Sequence, residues 1–413
     1  MEVKVFDRFP NCIVVGEGAV KTIGDHIRKF GDIKKVAVIT DQGLKSLPIV
    51  TDLVSLLDGQ GFETSLFSEV RSLPTDCNVT AAVEKMKEFG AEAVVAIGGG
   101  SAMDCARAAN ALYSYGGTLA EHNIKCQKYE YSRDVLKPSL AIPTTAGTGS
   151  EVAAGCGIIK TDPYTGEGVD FYVLSASQLI PDVSVIDPLM SMSQNPALTA
   201  ATGMDVLTHA YEAMVSNDEF LLAAGLSLEA IYQVFNNLRL AVANGSNIQA
   251  RENMAIAATT ATVSFQLRGL GLVHAISEGL SAFTLAPHGL ANGILLPAVM
   301  KFNATCVPDK MTRIAAVMGV NTFDLSGQEA SARAVEEVES LMRDIGMPTT
   351  FTEYFTRREK EQPEIFRPVK RDVIKESIKV AEKTHFINTN PRRASTADIR
   401  DILEEQFAGY QFG

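Results

Sequence analysis

An aspartate and a histidine stand four positions apart in the stretch GMDVLTHAYEAM, residues 203–214. The Ala, Met, Leu and Glu content of this stretch favours a helix, in which residues i and i+4 lie on one face. Asp205 and His209 would then point the same way, a geometry that can chelate a metal ion. A carboxylate and an imidazole placed like this can equally form a local hydrogen bond. Further ligands are needed before the pair indicates a metal site.

Two more histidines occur in apolar, glycine-flanked surroundings. His274 and His288 both lie in GLVHAISEGLSAFTLAPHGLANGILLP, and the chain has 6 histidines in all. A single histidine in such a setting is usually a hydrogen-bonded core residue. Added to Asp205 and His209, however, they make one carboxylate and three imidazoles, a set that suits a divalent metal and contains no thiolate. The spacing along the chain leaves open whether the two segments meet in space.

A buried-strand pattern runs directly into three glycines in AEAVVAIGGGSAMDCARAAN. Gly98, Gly99 and Gly100 would let the backbone approach a ligand closely, while Ser101 and the first amides of the following helix could donate to an anion. The spacing differs from the usual G-x-G-x-x-G, so a tight turn with no ligand remains an alternative.

A second segment, PTTAGTGSE, also follows a strand and combines two glycines with small hydroxyl donors. These donors are Thr144, Thr145, Thr148 and Ser150. Two such loops on one sheet predict a dinucleotide lying across the strand ends.

Asp41 ends the strand pattern KKVAVITD. A carboxylate at this place could accept hydrogen bonds from both ribose hydroxyls of an adenosine and would repel a 2′-phosphate, which favours NAD over NADP. The alternative is a structural role, in which Asp41 caps the following turn or helix.

The pattern of apolar residues along the chain predicts an α/β fold followed by a helical one. Short β-branched runs alternate with helical patterns over about the first 190 residues, which predicts βαβ units and a parallel sheet. Beyond DPLMSMSQNPALTA the β-branched runs nearly vanish and Ala-, Leu- and Met-rich windows follow. We therefore predict an α/β dinucleotide-binding domain over residues 1–190 and a helical metal- and substrate-binding domain over 191–413.

The composition narrows the class of partner. The chain is 46% hydrophobic and 21% charged, with a formal net charge of −12, so its field would repel nucleic acid and anionic membranes. Six scattered cysteines without a C-x-x-C pair indicate reduced thiols, and we find neither an export signal nor a long apolar span. We expect a cytoplasmic protein that binds small molecules.

Taken together, these motifs resemble the group III, or iron-containing, alcohol dehydrogenase family. The resemblance rests on GGGSAMD, PTTAGTGSE, GMDVLTHAYEA, GLVHA, PHGLANGILLP and TNPR, which occur in the family's order from the first strand to near the C-terminus. It implies an N-terminal Rossmann-like parallel-sheet domain, an all-α C-terminal domain and an active site in the cleft between them. It also implies a homodimer or a higher homo-oligomer.

The resemblance assigns roles to the residues already described. Asp205, His209, His274 and His288 match the family's metal ligands, and the two glycine-rich segments, including Asp104 at the end of GGGSAMD, match its NAD(H) site. The metal would be Fe²⁺ or Zn²⁺, with Mn²⁺ and Co²⁺ as further candidates. The implied reaction is a reversible hydride transfer between the nicotinamide and a primary or secondary alcohol, or its carbonyl, bound at the metal.

The sequence departs from the family near the expected substrate pocket. HAISEGLS places Glu278 where relatives commonly have a second histidine, and SFQLRGLG places Arg268 after Phe265 where small or amide side chains are usual. Gly155 stands where relatives often have a larger polar residue. Glu278 and Arg268 could form a compensating ion pair. Alternatively, one of them contacts the substrate, or Glu278 relays the alcohol proton.

Two other functions remain as alternatives at this stage. A sugar-phosphate cyclase of the dehydroquinate synthase type also uses NAD and a divalent metal, but it needs a cluster of basic residues for the phosphate, and none stands beside His274 and His288. A non-catalytic NAD-binding sensor or structural protein would retain the fold without turnover.

Overall fold

The computed structural model describes residues 7–71, 73–126, 128–162, 164, 168–284, 286–364 and 366–413, with the backbone alone at Gly168 and Val169. Within it the chain forms two compact units, of which the first ends at Ser193 and the second comprises Gln194–Gly413. The loss of β-branched runs predicts a boundary near residue 190. That the two units are independent domains stays a prediction.

A six-stranded parallel sheet forms the centre of the first unit. Its strand order is β1-β8-β5-β4-β2-β3, and a separate antiparallel hairpin is formed by β6 and β7. The strands are β1 Ile13–Val15, β2 Lys35–Asp41, β3 Glu63–Val70, β4 Ala93–Gly98, β5 Ser139–Pro143, β6 Gly155–Thr161, β7 Gly168–Ser175 and β8 Val183–Ile186.

Helices cover both faces of this sheet, as the buried central strand β4 demonstrates. All its residues are buried; Val94 and Ala96 belong to one apolar core, whereas Val95 and Ile97 belong to another. A strand with period-two alternation between two cores must be covered on both sides, which is the usual arrangement of parallel sheets. The helices of this unit are α1 Ile23–Arg28, α2 Pro48–Gly59, α3 Asp76–Phe89, α4 Gly100–Tyr115 and α5 Leu119–His122.

The described part of the second unit contains helices and no strands. The predicted fold class, an α/β Rossmann-like first part and a helical second part, is confirmed. The helices are α6 Pro196–Val215, α7 Leu221–Ala243, α8 Ile248–Arg268, α9 Leu272–Thr284, α10 His288–Asn303, α11 Pro308–Val317, α12 Gly327–Asp344, α13 Phe351–Glu361, α14 Val373–Ala381, α15 Phe386–Thr389 and α16 Thr396–Gln406. No helix among the described residues is both long and apolar enough to cross a bilayer.

Local sequence determines where α6 begins. The side chain of Asn195 accepts a hydrogen bond from the Leu198 backbone amide at 2.8 Å, and Pro196 occupies the first turn, where a missing N–H costs nothing. From Gly203 to Val215 every residue of α6 is buried. Any polar side chain in this stretch therefore requires a partner inside the protein.

Helix α9 packs very closely against α14, and glycine permits this approach. A Cβ added at Gly279 would lie 2.6 Å from the Ser377 Cα and 3.0 Å from its carbonyl oxygen, both of which are backbone atoms. By contrast, a Cβ at Gly225 on α7 would have no atom within 4 Å.

We expect Gly279→Ala to lower the melting temperature, because the added methyl group forces the two helices apart at a cost of about 1–3 kcal/mol. Gly225→Ala is the matched control and should raise it slightly, since alanine is favoured over glycine in a helix by about 1 kcal/mol. Thermal unfolding of the two variants in parallel measures both effects. Equal shifts would contradict the close contact between α9 and α14.

Candidate metal centre and cofactor-binding edge

Three helices of the second unit bring the four predicted ligands together. Helix α6 carries Asp205 and His209, α9 carries His274 and α10 carries His288. One ligand atom from each of Asp205, His209 and His274 lies within 4.8 Å of the others. The Asp205 Oδ1 is 4.0 Å from the Nε2 of His274 and 3.8 Å from the Nε2 of His288. These four residues are called the ligand cluster below.

The imidazole rings of the ligand cluster pack against one another. The ring centroids of His209 and His274 are 4.8 Å apart with nearly parallel planes, and those of His274 and His288 are 5.3 Å apart. Phe265, at the end of α8, lies with its ring centroid 4.8 Å from that of His209. The predicted pocket residue Phe265 is therefore next to the cluster.

The chemistry of the cluster fits a divalent cation. It offers one carboxylate and three imidazoles, and Asp205, His209 and His274 are buried, whereas 38% of the His288 side chain is exposed. An array of nitrogen and oxygen donors without thiolate suits Fe²⁺, Zn²⁺ and similar ions. The exposed edge at His288 gives the cluster access to solvent.

A second carboxylate, which the sequence analysis did not single out, binds the ligand His274. The Glu212 Oε2 is 2.5 Å from the His274 Nδ1, and the side chain of Glu212 is 1% exposed. A carboxylate can only accept, so Nδ1 carries the proton and Nε2 directs its lone pair toward the ligand cluster. Glu212 lies three residues after His209; a carboxylate in an apolar helical run was the signal that could have revealed it, because buried charges are nearly always paired.

Glu212 also fixes the start of α9. Its Oε1 accepts hydrogen bonds from the backbone amides of Val273 at 2.6 Å and His274 at 3.4 Å. The amide of Leu272 donates to Asn390 Oδ1 at 3.3 Å, and Asn390 belongs to the TNPR motif. The first turn of a helix leaves its amides without internal partners, so these two side chains satisfy them and set the direction of the helix.

The charges around the cluster act on one another. Desolvation raises the pKa of Asp205, but the three imidazoles and the amide of Asn292 outweigh it and hold that pKa below its usual range. Desolvation lowers the pKa of His274, yet the neighbouring Glu212 and Asp205 carboxylates raise it above its ordinary value. The lowered pKa of Asp205 and the raised pKa of His274 both mean that a positive charge next to Asp205 is favourable.

The guanidinium group of Arg268 binds backbone carbonyls and not the Glu278 side chain. It donates to the backbone carbonyls of Ser216 at 3.0 Å and Asp218 at 2.9 Å, just beyond the end of α6. Neither this group nor any other forms a salt bridge with Glu278 in the described part of the chain, so the ion-pair interpretation gains no support. A substrate-pocket role for Arg268 stays a prediction.

Glu278 lies one helical turn after His274 on α9 and is half-buried. Burial raises the pKa of Glu278 to about 7, against the nearby His274, which lowers it. Its carboxyl group is therefore able to change protonation state near neutral pH.

In the first unit, Asp41 lies at the carboxyl end of β2 beside Gly98 at the end of β4. Its Oδ1 accepts from the amides of Gly43 at 2.9 Å and Leu44 at 3.1 Å, so it does stabilise a local turn. Its Oδ2 accepts no hydrogen bond from the described residues and would lie 3.2 Å from a Cβ placed on Gly98. One carboxylate oxygen is thus available at the strand ends.

The two glycine-rich segments lie against each other at this edge of the sheet. The Thr144 amide donates to the Gly98 carbonyl at 2.9 Å. A Cβ on Gly99 would lie 3.3 Å from the Thr145 hydroxyl, and one on Gly100 would lie 3.0 Å from Thr148. The glycines therefore leave room for the hydroxyl-bearing side chains of the second segment. Ser101 follows in the first turn of α4, which begins at Gly100.

Asp104 and Ser150 connect the segments to β6. The Asp104 Oδ1 lies 2.6 Å from the Arg107 guanidinium and accepts from the Ser150 hydroxyl at 3.4 Å, while its Oδ2 accepts from the Gly157 amide at 3.0 Å. Gly155 pairs with Ser175 in the hairpin, and a Cβ there would make ordinary contacts with β7 from 3.6 Å outward. A cofactor contact for Asp104 and a pocket role for Gly155 stay predictions.

Comparison with known proteins identifies the family to which the chain belongs. Residues 10–188 match the family model described as iron-containing alcohol dehydrogenase, and residues 199–407 match the C-terminal model of the Fe-containing alcohol dehydrogenase family. The chain belongs to the iron-containing alcohol dehydrogenase family. The predicted family is confirmed.

Curated relatives and solved structures agree with this membership. The 1,3-propanediol dehydrogenase of Klebsiella pneumoniae is 34% identical over 98% of this chain and 100% of that protein, and the lactaldehyde reductase of Escherichia coli strain K12 is 34% identical over 94% and 95%. The crystal structure of a 1,3-propanediol oxidoreductase superimposes with a TM-score of 0.88, at 32% identity over 98% of this chain and 100% of that one. This iron-containing alcohol dehydrogenase is thus an oxidoreductase acting on CH–OH groups, and the cyclase and non-catalytic alternatives are not retained.

We expect Glu212→Gln to weaken metal binding by roughly 10- to 100-fold, as is typical when the group that orients a metal-binding histidine is changed. Glutamine can still accept from the Val273 amide, but its NH₂ group would face Nδ1 and favour the tautomer with a proton on Nε2. Competition with a chromogenic chelator measures the dissociation constant. Glu219→Gln, at an exposed position, is the control; equal affinities of the two variants would contradict the role of Glu212.

Proposed function

We propose that this protein is an NAD(H)-dependent alcohol dehydrogenase, or aldehyde reductase, that uses a divalent metal held by the ligand cluster. The observation that carries the proposal is the convergence of one carboxylate and imidazole nitrogens on a common point, with Glu212 fixing the tautomer of His274. Family membership makes the chain an oxidoreductase; the cluster accounts for how it would activate an oxygen atom.

A divalent cation bound here would supply Lewis acidity, which polarises a carbonyl and makes a hydroxyl group easier to deprotonate. Asp205 would contribute the negative charge, and the three histidines would contribute neutral nitrogen donors. The partial exposure of His288 and the ring of Phe265 beside His209 support a substrate position at this edge of the cluster. Burial of the remaining ligands keeps water from competing for them.

The donor set restricts the metal without selecting one. Nitrogen and oxygen ligands suit Fe²⁺ and Zn²⁺, and also Mn²⁺ and Co²⁺, and affinity trends alone would not select Fe²⁺. We propose Fe²⁺ or Zn²⁺.

The cofactor we propose is NAD(H), bound by the two glycine-rich segments of the first unit. The available Oδ2 of Asp41 supports the choice over NADP, because it can accept from ribose hydroxyls and would repel a 2′-phosphate. Small hydroxyl side chains beside Gly99 and Gly100 support a pyrophosphate contact.

We propose a small primary or secondary alcohol, or the corresponding aldehyde, as the substrate. The test is elemental analysis of protein purified without chelator, together with NADH oxidation against aldehydes before and after metal removal. The panel should include lactaldehyde and the aldehydes corresponding to 1,3-propanediol, methanol and a long-chain alcohol, since relatives carry these names.

We expect close to one equivalent of Fe or Zn per chain, a loss of at least 100-fold in activity on chelation, and recovery on adding the metal back. Activity that survives complete metal removal would contradict the role of the cluster. A metal-free protein that no divalent ion activates would contradict the proposal as a whole.

For the cofactor, Asp41→Asn is the informative variant, because it keeps the oxygen that accepts from Gly43 and Leu44 but removes the charge. We expect the ratio of kcat/KM for NADPH to that for NADH to rise by roughly 10-fold, which corresponds to about 1.4 kcal/mol. Asp52→Asn on the exposed surface of α2 is the control. An unchanged ratio would mean that Asp41 serves only the local turn.

We propose further that Glu278 contacts the substrate or relays the alcohol proton. Its place one turn from His274 and the rise of its pKa to about 7 by burial support this role. The carboxyl group is neutral below that pKa and can act as a base above it, so alcohol oxidation by this route should accelerate as the pH rises through about 7.

Glu278→His should change the order in which the enzyme prefers a panel of alcohols, because a basic ring replaces an acid in the pocket. Glu278→Gln should remove the corresponding ionisation from the pH profile of kcat/KM while leaving metal content unchanged. An unaltered substrate ranking in Glu278→His would rule out the substrate contact, and an unaltered pH profile in Glu278→Gln would rule out the relay.

Location and assembly are also proposals. The absence of paired cysteine motifs supports a cytoplasmic protein, and the family resemblance supports a homodimer or a larger homo-oligomer. Light scattering of the purified protein measures the second directly.

A further inference from the structure

The side-chain amide of Asn292 stands among the atoms of the ligand cluster. Its Nδ2 is 2.7 Å from the Asp205 Oδ1, 3.1 Å from the His274 Nε2 and 3.1 Å from the His288 Nε2. Asn292 is fully buried and lies one turn after His288 on α10. A single nitrogen atom is therefore within hydrogen-bonding distance of three of the four proposed ligand atoms.

The amide nitrogen faces lone pairs of these atoms. In the neutral imidazole of His274, Glu212 keeps the proton on Nδ1, so Nε2 is an acceptor. The His288 Nε2 must likewise be an acceptor toward an NH₂ group, which can only donate. Because three acceptors face two hydrogens, the NH₂ group can donate to Asp205 and to one imidazole at a time. These are the lone pairs that a cation would need.

The other end of the amide has no partner. The Asn292 Oδ1 is buried and accepts no hydrogen bond from the described residues. An amide that was fixed as part of the helix packing would satisfy both its ends, since an unpaired buried carbonyl costs free energy. The ligand cluster alone therefore determines where this side chain points.

We propose that Asn292 takes the place of the cation when no metal is bound. In that form its NH₂ group donates hydrogen bonds to Asp205 and to one imidazole. The metal then displaces the NH₂ group from the imidazole. This inference rests on the proposed function, in which the cluster binds a divalent metal. An imidazole Nε2 has a single lone pair and cannot both accept a hydrogen bond and bind a cation. A carboxylate oxygen has more than one lone pair, so the contact with Asp205 can persist.

Loss of the Asn292 amide would affect the stability of the metal-free and metal-loaded forms differently. Removing the amide deprives the metal-free protein of two hydrogen bonds but the metal-loaded protein of only one. The metal-free form is destabilised more, so metal binding becomes more favourable by about one buried hydrogen bond, or roughly 5-fold in the dissociation constant. Asn292 thus keeps the empty cluster ordered at the expense of some affinity.

The experiment compares wild type, Asn292→Ala and Asn292→Leu after chelation. The leucine variant replaces the lost volume, in case the cavity left by alanine prevents folding. The probe is Zn²⁺ alone, titrated in competition with a chromogenic chelator, and the melting temperature is measured with and without Zn²⁺. Asn237→Ala is the control, because Asn237 is also a buried asparagine, on α7, but its side chain hydrogen-bonds Gln233 and Asn253 instead of the cluster.

We expect a Zn²⁺ dissociation constant roughly 5-fold lower in both Asn292 variants, and a larger melting-temperature loss in the metal-free than in the metal-loaded form. Asn237→Ala should lose stability equally in both forms without a change in affinity. An unchanged or higher dissociation constant in the Asn292 variants, with wild type binding Zn²⁺ stoichiometrically, would overturn this inference alone. A wild type that binds no Zn²⁺ or other divalent ion would overturn the proposed function and this inference with it.

Discussion

The hydrogen bond between Glu212 and His274 is the interaction on which the geometry of the second unit depends. A buried carboxylate must find donors, and Glu212 finds them in the Nδ1–H of His274 and the first amides of α9. One side chain of α6 therefore fixes both the direction of α9 and the ring orientation of His274. Because Asp205 and His209 lie on the same helix as Glu212, the relative positions of three residues of the ligand cluster follow from one set of contacts.

The buried carboxylates explain why a cation would stabilise the cluster. Asp205 and Glu212 are both buried, and a carboxylate oxygen of each lies within 4.0 Å of a nitrogen of the His274 ring. Two carboxylates are costly to bury without positive charge nearby. The raised pKa of His274 and the lowered pKa of Asp205 both reflect this need for positive charge. A divalent ion bound at the cluster would supply two positive charges.

The sequence predicts the four residues of the ligand cluster but not the residues that position them. Asp205, His209, His274 and His288 are conspicuous because metal-binding residue types are rare in apolar runs. Glu212 and Asn292 occur in the same quoted motifs, yet their roles arise only when α6, α9 and α10 come together, and helical periodicity along one segment contains no such information. The parallel sheet and the helical second unit were predictable from alternation and composition. The β6–β7 hairpin was not predicted, because Gly155, Gly157 and Gly168 interrupt its strand pattern.

In the first unit, one residue of the glycine-rich motif has its main contacts within the protein. Asp104 belongs to the glycine-rich motif, but Arg107, Ser150 and Gly157 occupy both its carboxylate oxygens. Burial raises the pKa of Asp104 above its usual range, although the guanidinium of Arg107 and these hydrogen bonds oppose that shift. Since its partners lie on the helix, the second glycine-rich segment and the hairpin, the carboxylate ties three pieces of chain into one edge. Asp104 would then support cofactor binding by holding the glycines and hydroxyls of the two segments in place.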